Sequence, residues 1–372
     1  MTTIRRLIYG EILRSVGFVT LAFLLLFFFF DFVDELQALR RFGGQGYTLP
    51  QALLYVFLLV PAHLYELLPI AALIGTIYVM ARMAESSEFT ILRTSGLGPG
   101  RALTTLLTLG VGFVILTFIC GDYLAPAANR TAQVLKARFS GELTKGQTGA
   151  WLKDRQQERS YSVNVGALSP LGSMSNVRIF EFDTEGRLLS STKAENAIFA
   201  QDAWILQNVQ RSDFEVTPRT AEGGGYSLIR RAQPPELTWP TQLTIDMVAA
   251  ALLSPDRMQT VDLFQYIRHL DANGQSAQRY EIEFWRKVFY PLSCLVMMVL
   301  ALPFAYLHFR SGNIAGFVFL GVLAGISFFL LNNVFGFIGN LRNWEPWVAA
   351  AAPGILYSLL SLGAFRWLVV RQ

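Results

Sequence analysis

Apolar residues along this chain fall in six long runs, near residues 13–33, 58–80, 103–124, 288–307, 314–338 and 347–370. A helix needs roughly 20 such residues to cross a bilayer core of about 30 Å, so each run predicts a membrane span. Pro61 and Pro69 in the second run, and Pro291 and Pro303 in the fourth, are positions where a helix can kink. Between the third and fourth runs the pattern alternates in period two, at Tyr161, Val163 and Val165 and again at Val177 and Ile179. Turn-forming stretches punctuate it: Ser169-Pro170-Leu171-Gly172, Asp183-Thr184-Glu185-Gly186, Gln201-Asp202 and Gly223-Gly224-Gly225. Short strands at this spacing predict an all-β sandwich or jelly roll. After Pro255 a helical period returns, with Val261, Phe264, Ile267 and Leu270 marking one face. The expected fold is an α-helical membrane protein of six transmembrane helices, with an all-β, jelly-roll-like domain inserted between helices 3 and 4. The first three spans occupy residues 1–124, the β domain 125–255, a helical connector 256–283 and the last three spans 284–372.

A charged island, residues 80–101 (MARMAESSEFTILRTSGLGPGR), separates the second and third runs. Ser86 and Ser87 can cap a helix start, and Glu88 sits in the first turn, where the helix dipole favours an anion. Arg93 falls in the last turn, Gly96 can take the left-handed cap, and Pro99 blocks continuation. The expected helix, within residues 86–96, has roughly nine residues and is about 14 Å long. Spacing places Glu88, Ile91, Leu92 and Ser95 on one face. An acidic, partly apolar face suits a docking partner; a solvated turn that keeps a loop soluble has the same pattern.

Composition narrows the class. Of 372 residues, 52% are hydrophobic and 16% charged, and their clustering in runs marks an integral membrane protein. The net charge of +4 is small and scattered, which argues against nucleic-acid binding. Cys120 and Cys294 both lie in apolar runs and imply no disulfide framework. The first run is followed by Asp31, Asp34 and Glu35 rather than a small-residue cleavage site, so it reads as a retained span. Arg5, Arg6, Arg14, Arg82, Arg93, Arg101, Arg310, Arg366 and Arg371 gather at one set of span ends, against Arg40, Arg41 and Arg342 at the other. Basic residues accumulate in cytoplasmic loops, so both termini and the charged island are expected in the cytoplasm and the β domain outside.

Catalytic signatures are missing from the sequence. No G-x-x-x-x-G-K-[ST] phosphate loop occurs, so the chain is not expected to hydrolyse ATP. His63, His269 and His308 are too scattered for a zinc site, and no Ser/His/Asp arrangement is legible. Asn332 and Asn333 in the fifth span suit helix–helix hydrogen bonding, and Gly321-x-x-x-Gly325 matches a close-packing motif. Outside the membrane, Arg40 and Arg41 follow the first span and Arg130, Lys136 and Arg138 the third. Arg grips phosphate through two hydrogen bonds and Lys offers a point charge, so these five suit an anionic amphiphile; ordinary rim charges would look the same.

Together, six spans, a β insertion after the third and the island SSEFTILRTSG resemble the LptF/LptG family of lipopolysaccharide-export permeases. YEIEFWRKVFYP at residues 280–291, the following Leu292-Ser293 and Met297-Met298, the opening Phe32-Val33-Asp34 and the Gly-Gln-Gly at residues 44–46 favour its LptG branch over the sister LptF. The resemblance implies an inner-membrane ABC exporter in which a heterodimer with LptF sits on two copies of the ATPase LptB. Lipopolysaccharide would pass through LptC to the LptA bridge, with ATP and magnesium at the ATPase and no cofactor on this chain. It implies ATPase coupling through Glu88, with Ile91, Leu92 and Arg93 around it. It implies phosphate contacts from Arg40, Arg41 and Lys136. At a second basic position of the family this chain has Gln133, which leaves Arg130 and Arg138 as neighbours able to compensate. An ion-driven secondary transporter is the rival class; it needs carboxylates near the midplane, and Glu66 is the candidate.

Overall fold

The computed structural model describes residues 2–140, 143–144, 149–156, 159–169, 172–200, 203–216, 227–241, 243–252, 255–306 and 314–367. In chain order the helices are α1 (Thr2–Phe42), α2 (Leu49–Glu85), α3 (Glu88–Thr94), α4 (Pro99–Ile119) and α5 (Ala125–Ser140). Nine strands follow: β1 (Leu143–Thr144), β2 (Ala150–Gln156), β3 (Arg159–Leu168), β4 (Ser173–Phe182), β5 (Leu188–Ala200), β6 (Ala203–Gln207), β7 (Gln210–Val216), β8 (Ser227–Ala232) and β9 (Glu236–Pro240). The chain then forms α6 (Ile245–Leu252), α7 (Thr260–Ala272), α8 (Gln278–Phe289), α9 (Ser293–Ala301), α10 (Ile314–Leu341) and α11 (Pro346–Phe365). Six stretches are long and apolar enough to cross a membrane: Ile4–Phe42, Leu49–Glu85, Pro99–Lys136, Gln278–Tyr306, Ile314–Leu341 and Pro346–Phe365.

The helices outrun the apolar stretches that announce them, because a backbone with paired N–H groups has no reason to stop at the membrane surface. The expected start of the β domain at Ala125 is corrected on this point. Residues 125–140 are helical, with Ala125, Asn129 and Ala132 buried at helical spacing, and the first strand begins at Leu143. The connector likewise merges into the fourth span, since α8 begins at Gln278. Pro61 and Pro69 lie within an unbroken α2, whereas Pro291 sits in a short 3-10 segment that divides the fourth span and Pro303 in one that ends it.

Chain contacts divide the molecule into a helical unit (Met1–Arg41, Thr48–Arg130, Gln278–Gln372) and a β unit (Phe42–Tyr47, Thr131–Ala277). In the helical unit α2 is the hub. Its Leu68, Ala72, Met80 and Met83 join a core with α1, α4 and α9, while Leu73 and Ile77 join a second with Met297, Phe328 and Tyr357. Lipid tails are as apolar as leucine, so close approach and polar pairing select helix partners here. Gly321 and Gly325 of the expected packing motif lie against Ile77 and Ile70; a Cβ on either would meet those side chains at 2.8 and 2.6 Å. Asn332 is buried and its carbonyl accepts a hydrogen bond from Arg286 at 2.9 Å, while Asn333 is exposed.

In the β unit all pairings are antiparallel, running β1-β3-β4-β5-β6-β9. Two strands fork the sheet: β2 also pairs β3, and β7 pairs β5 at Ser190–Lys193 while β6 takes its Asn196–Ala200 end. Alternation puts Val163, Val165, Val177 and Ile179 inside. Asn176 (φ 52°) breaks the alternation of β4 opposite Gly166, whose missing Cβ makes room for it. The expected turns close at Gly172 and Gly186, both with positive φ; residues 170–171, 201–202 and 223–225 lie outside the described residues. On α7 the expected face is corrected. Leu270 is buried as expected, but it is joined by Leu263 and Tyr266 while Val261 and Phe264 are exposed, both choices sharing the helical spacing.

Candidate functional site

The charged island folds into a short, rigidly backed helix. Ser87 adopts the left-handed conformation (φ 60°) and makes no side-chain cap, which corrects the expected serine capping. Its carbonyl takes the N–H of Ile91 (3.2 Å) as the first turn of α3, while its own N–H bonds the Ala84 carbonyl at 3.2 Å to close the turn out of α2. The other end follows expectation. Gly96 is left-handed (φ +99°), its N–H bonds the Arg93 carbonyl and the Leu97 N–H reaches back to the Leu92 carbonyl, each at 3.0 Å. That paired pattern is a Schellman cap, with Leu97 and Leu92 both packed on the core. Arg101 adds a hydrogen bond to the Gly96 carbonyl at 3.0 Å.

The anchor of α3 is Phe89, which the helical-face pattern does not include. Its side chain is buried, with the Tyr306 ring 5.1 Å away and nearly perpendicular. Arg93 lies over the same tyrosine, its guanidinium carbon 4.9 Å from the ring centroid, a cation–π placement. Glu88 and Ile91, one turn apart, are exposed, Ile91 by 62%. The expected four-residue face is therefore split: Glu88, Ile91 and Ser95 face outward, while Leu92 turns half inward onto the core. A carboxylate beside a bare isoleucine on a backed helix offers one ionic and one apolar contact.

The basic residues fall in both units. Arg40 and Arg41 end α1 and are exposed, Arg130 is exposed on α5, and Lys136 is half-buried on α5 within the β unit. The Arg138 side chain lies outside the described residues, as do Arg310, Arg371 and His308.

Polar groups inside the spans pair more fully than the sequence reveals. His63 Nε2 lies 2.7 Å from Asp31 Oδ2 and its ring stacks on Phe27 at 4.9 Å, joining α1 to α2. Lys287, missed as a buried group, reaches the third span through its own chemistry. There Cys120–Leu124 is π-helical, and the Ala125 N–H bonds the carbonyl five residues back, at Cys120. The next donor in that register falls at Pro126, which has no N–H. The Gly121 carbonyl accepts Lys287 Nζ at 3.2 Å instead. A proline two residues past the apolar run and a lysine inside YEIEFWRKVFYP were the available signals. Among the described residues no group of histidine, cysteine, aspartate or glutamate could hold a metal ion. Cys120 and Cys294 are free and buried.

Comparison with known proteins matches this architecture to one family. The family described as "Lipopolysaccharide export system permease LptF/LptG" matches residues 6–367. The lipopolysaccharide export system permease protein LptG of Escherichia coli (strain K12) is 31% identical over 346 residues, covering 92% of this chain and 90% of that protein. LptG of Haemophilus influenzae (strain ATCC 51907 / DSM 11121 / KW20 / Rd) is 26% identical over 381 residues, covering 100% of this chain and 99% of that protein. A multi-pass membrane chain with six spans and an antiparallel β insertion, matched over nearly its whole length, belongs to the LptF/LptG family of lipopolysaccharide export system permeases.

Proposed function

We propose that this chain fills the LptG role in an ATP-driven exporter that lifts lipopolysaccharide from the outer leaflet of the bacterial inner membrane. It pairs with an LptF-type permease, rests on two LptB-type ATPase subunits, and passes its cargo through LptC to the LptA bridge. Both termini and α3 face the cytoplasm and the β unit the periplasm, in keeping with the basic residues at the α3 side of the spans. ATP and magnesium belong to the ATPase, and this chain contributes no catalytic group.

The observation that carries this reading is the exposed Glu88–Ile91 pair on a helix locked from behind by Phe89, Leu92 and Arg93. A helix of seven residues has little stability of its own, and one held this firmly transmits displacement instead of absorbing it. Glu88 and Ile91 enter a groove of the ATPase, while Leu92 and Arg93 transfer its movement to Tyr306 and the core. On the opposite side Arg40, Arg41, Arg130, Lys136 and Arg138 contact the phosphates of the lipid, and apolar walls of the first, second and fifth spans face its acyl chains. The test is co-purification of wild-type and Glu88→Ala chains with the other subunits present, followed by ATPase assay. Wild type brings down an active ATPase and Glu88→Ala loses the enzyme or its activity. Wild type arriving without an ATPase in mild detergent refutes the exporter reading. An indifferent mutant removes Glu88 as the critical contact.

A further inference from the structure

The buried face of the β unit ends in a cavity of about 160 Å³ whose lining differs in kind from the apolar core beside it. Glu181 lies at its base with its side chain 5% exposed, paired to the guanidinium of Arg159 and, at 3.4 Å, to that of Arg211. Ser190 donates to the same carboxylate at 2.8 Å, and Arg211 is also held by Asp213 at 2.8 Å. Tyr161 and Trp239 form an aromatic corner, centroids 6.0 Å apart and planes tilted by 59°. Trp239 is buried, yet its Nε1–H has no hydrogen-bond partner among the described residues. Buried indole N–H groups almost always have one, so a residue lining the cavity carries an unmet donor.

The lining selects among ligands. Arg159 and Arg211 are both tied to the lining carboxylate Glu181, and Arg211 also to Asp213 behind it, so neither cation is left free for an anion. An acyl chain would cover the Glu181 network without meeting any of its hydrogen-bonding groups, at a desolvation cost. A polyol with hydroxyls on its rim and C–H groups on its faces matches both the mixed donors and acceptors and the aromatic corner. Drug-sized ligands occupy roughly 300–1,000 Å³, and this smaller space suits a single ring. We propose that the cavity binds one sugar ring, receiving the glycan portion of a glycolipid and not its acyl chains. Only the identity of that glycolipid as lipopolysaccharide rests on the function proposed above; the cavity chemistry does not.

The test uses the full-length chain in detergent, labelled with ¹⁵N at tryptophan, and follows the Trp239 indole N–H resonance, assigned by its loss in Trp239→Phe. The probe is lipid-free core oligosaccharide released from lipopolysaccharide by mild acid, with inorganic phosphate and lipid A titrated separately. Oligosaccharide is expected to shift the Trp239 resonance saturably, with phosphate and lipid A leaving it in place. In equilibrium dialysis Trp239→Phe should bind roughly tenfold more weakly, the loss of about one hydrogen bond. A resonance that ignores the oligosaccharide overturns the proposal, as does one moved equally by phosphate or by lipid A. The wild-type titration does not depend on any variant folding. It is also independent of ATPase co-purification, so sugar binding and the exporter reading can fail separately.

Discussion

Truncating Phe89 separates the positioning of α3 from the partner contact proposed for it. The Phe89 side chain is 2% exposed and packs edge-on to Tyr306. Cutting a buried phenylalanine to alanine costs about 3–5 kcal/mol, of which the aromatic pairing accounts for about 0.5–1.5 kcal/mol. Isolated helices shorter than about 12–15 residues are marginal in water, and α3 has seven residues. The loss therefore falls on local opening of the island. At about 1.4 kcal/mol per factor of ten, 3 kcal/mol raises the open population by about a hundredfold. Hydrogen exchange read by mass spectrometry on the purified chain measures this. The amides to follow are those of Ile91, Ser95, Gly96 and Leu97, all bonded within the island. In Phe89→Ala their exchange should accelerate by about two orders of magnitude, while peptides from α10 keep wild-type rates. Glu88→Ala should leave island protection unchanged, because Glu88 is exposed and supports nothing behind it. Unchanged protection at Leu97 in Phe89→Ala would refute Phe89 as the anchor and, with it, the backing of the proposed coupling surface.

Three further outcomes follow from packing and charge. Gly325→Ala should lower the melting temperature, since its Cβ would meet Ile70 at 2.6 Å; Gly354→Ala, with nothing within 4 Å, should leave it level or raise it. Thermal unfolding in detergent compares the two, and equal behaviour would remove the close-packing account of α10. Lys287→Met should destabilise by about 1–3 kcal/mol through the orphaned Gly121 carbonyl, and Pro126→Ala should restore part of the loss by returning an N–H in π register. No rescue in the double variant would sink that explanation. Burial holds the His269 pKa below its ordinary value, so the folded state resists the proton. Stability from this group is present above the unfolded value of about 6.5 and declines as pH falls through it toward the folded one. His269→Gln should flatten that part of the melting-versus-pH curve, and identical slopes would exclude His269 as the source.

The spans were legible because about 20 consecutive apolar residues have few other uses, and the β insertion because its period is two. What the pattern could not supply was the partner of each face. At α3 the helical-face reading grouped Leu92 with Glu88, since spacing says which residues are neighbours but not which side is buried; the ring of Phe89 decides that by reaching Tyr306, 217 positions along the chain. On α7 the expected face holds the buried Leu270 but takes the exposed Val261 and Phe264 in place of Leu263 and Tyr266, because both choices share the spacing. Ser87 resembles a capping residue by type, yet the short link between α2 and α3 demands a left-handed turn that a cap cannot adopt. The apolar run ends at residue 124, so nothing in hydropathy carries the helix on through 125–140, although Ala125, Asn129 and Ala132 stand at helical spacing.

Several polar residues of the spans supply a contact that hydrophobicity cannot provide. Because lipid covers apolar surface as well as protein does, α1 gains from α2 only where packing is close or polar groups pair. Ile8, Ile12 and Val16 are buried, Val16 against Gly75, and Glu11 meets Arg82 at 3.1 Å. Beyond them Phe18, Leu21, Leu25 and Phe29 are all more than half exposed. The helix meets α2 again where Phe27 stacks on the His63 ring and Asp31 takes its Nε2. Two groups costly to leave unpaired in hydrocarbon thus fix the far end of a helix whose middle is held by nothing polar. The bare stripe between the two attachments is a surface that the chain itself does not cover, and in a permease that handles an amphiphile it is free for lipid or a second subunit without any loss of the fold.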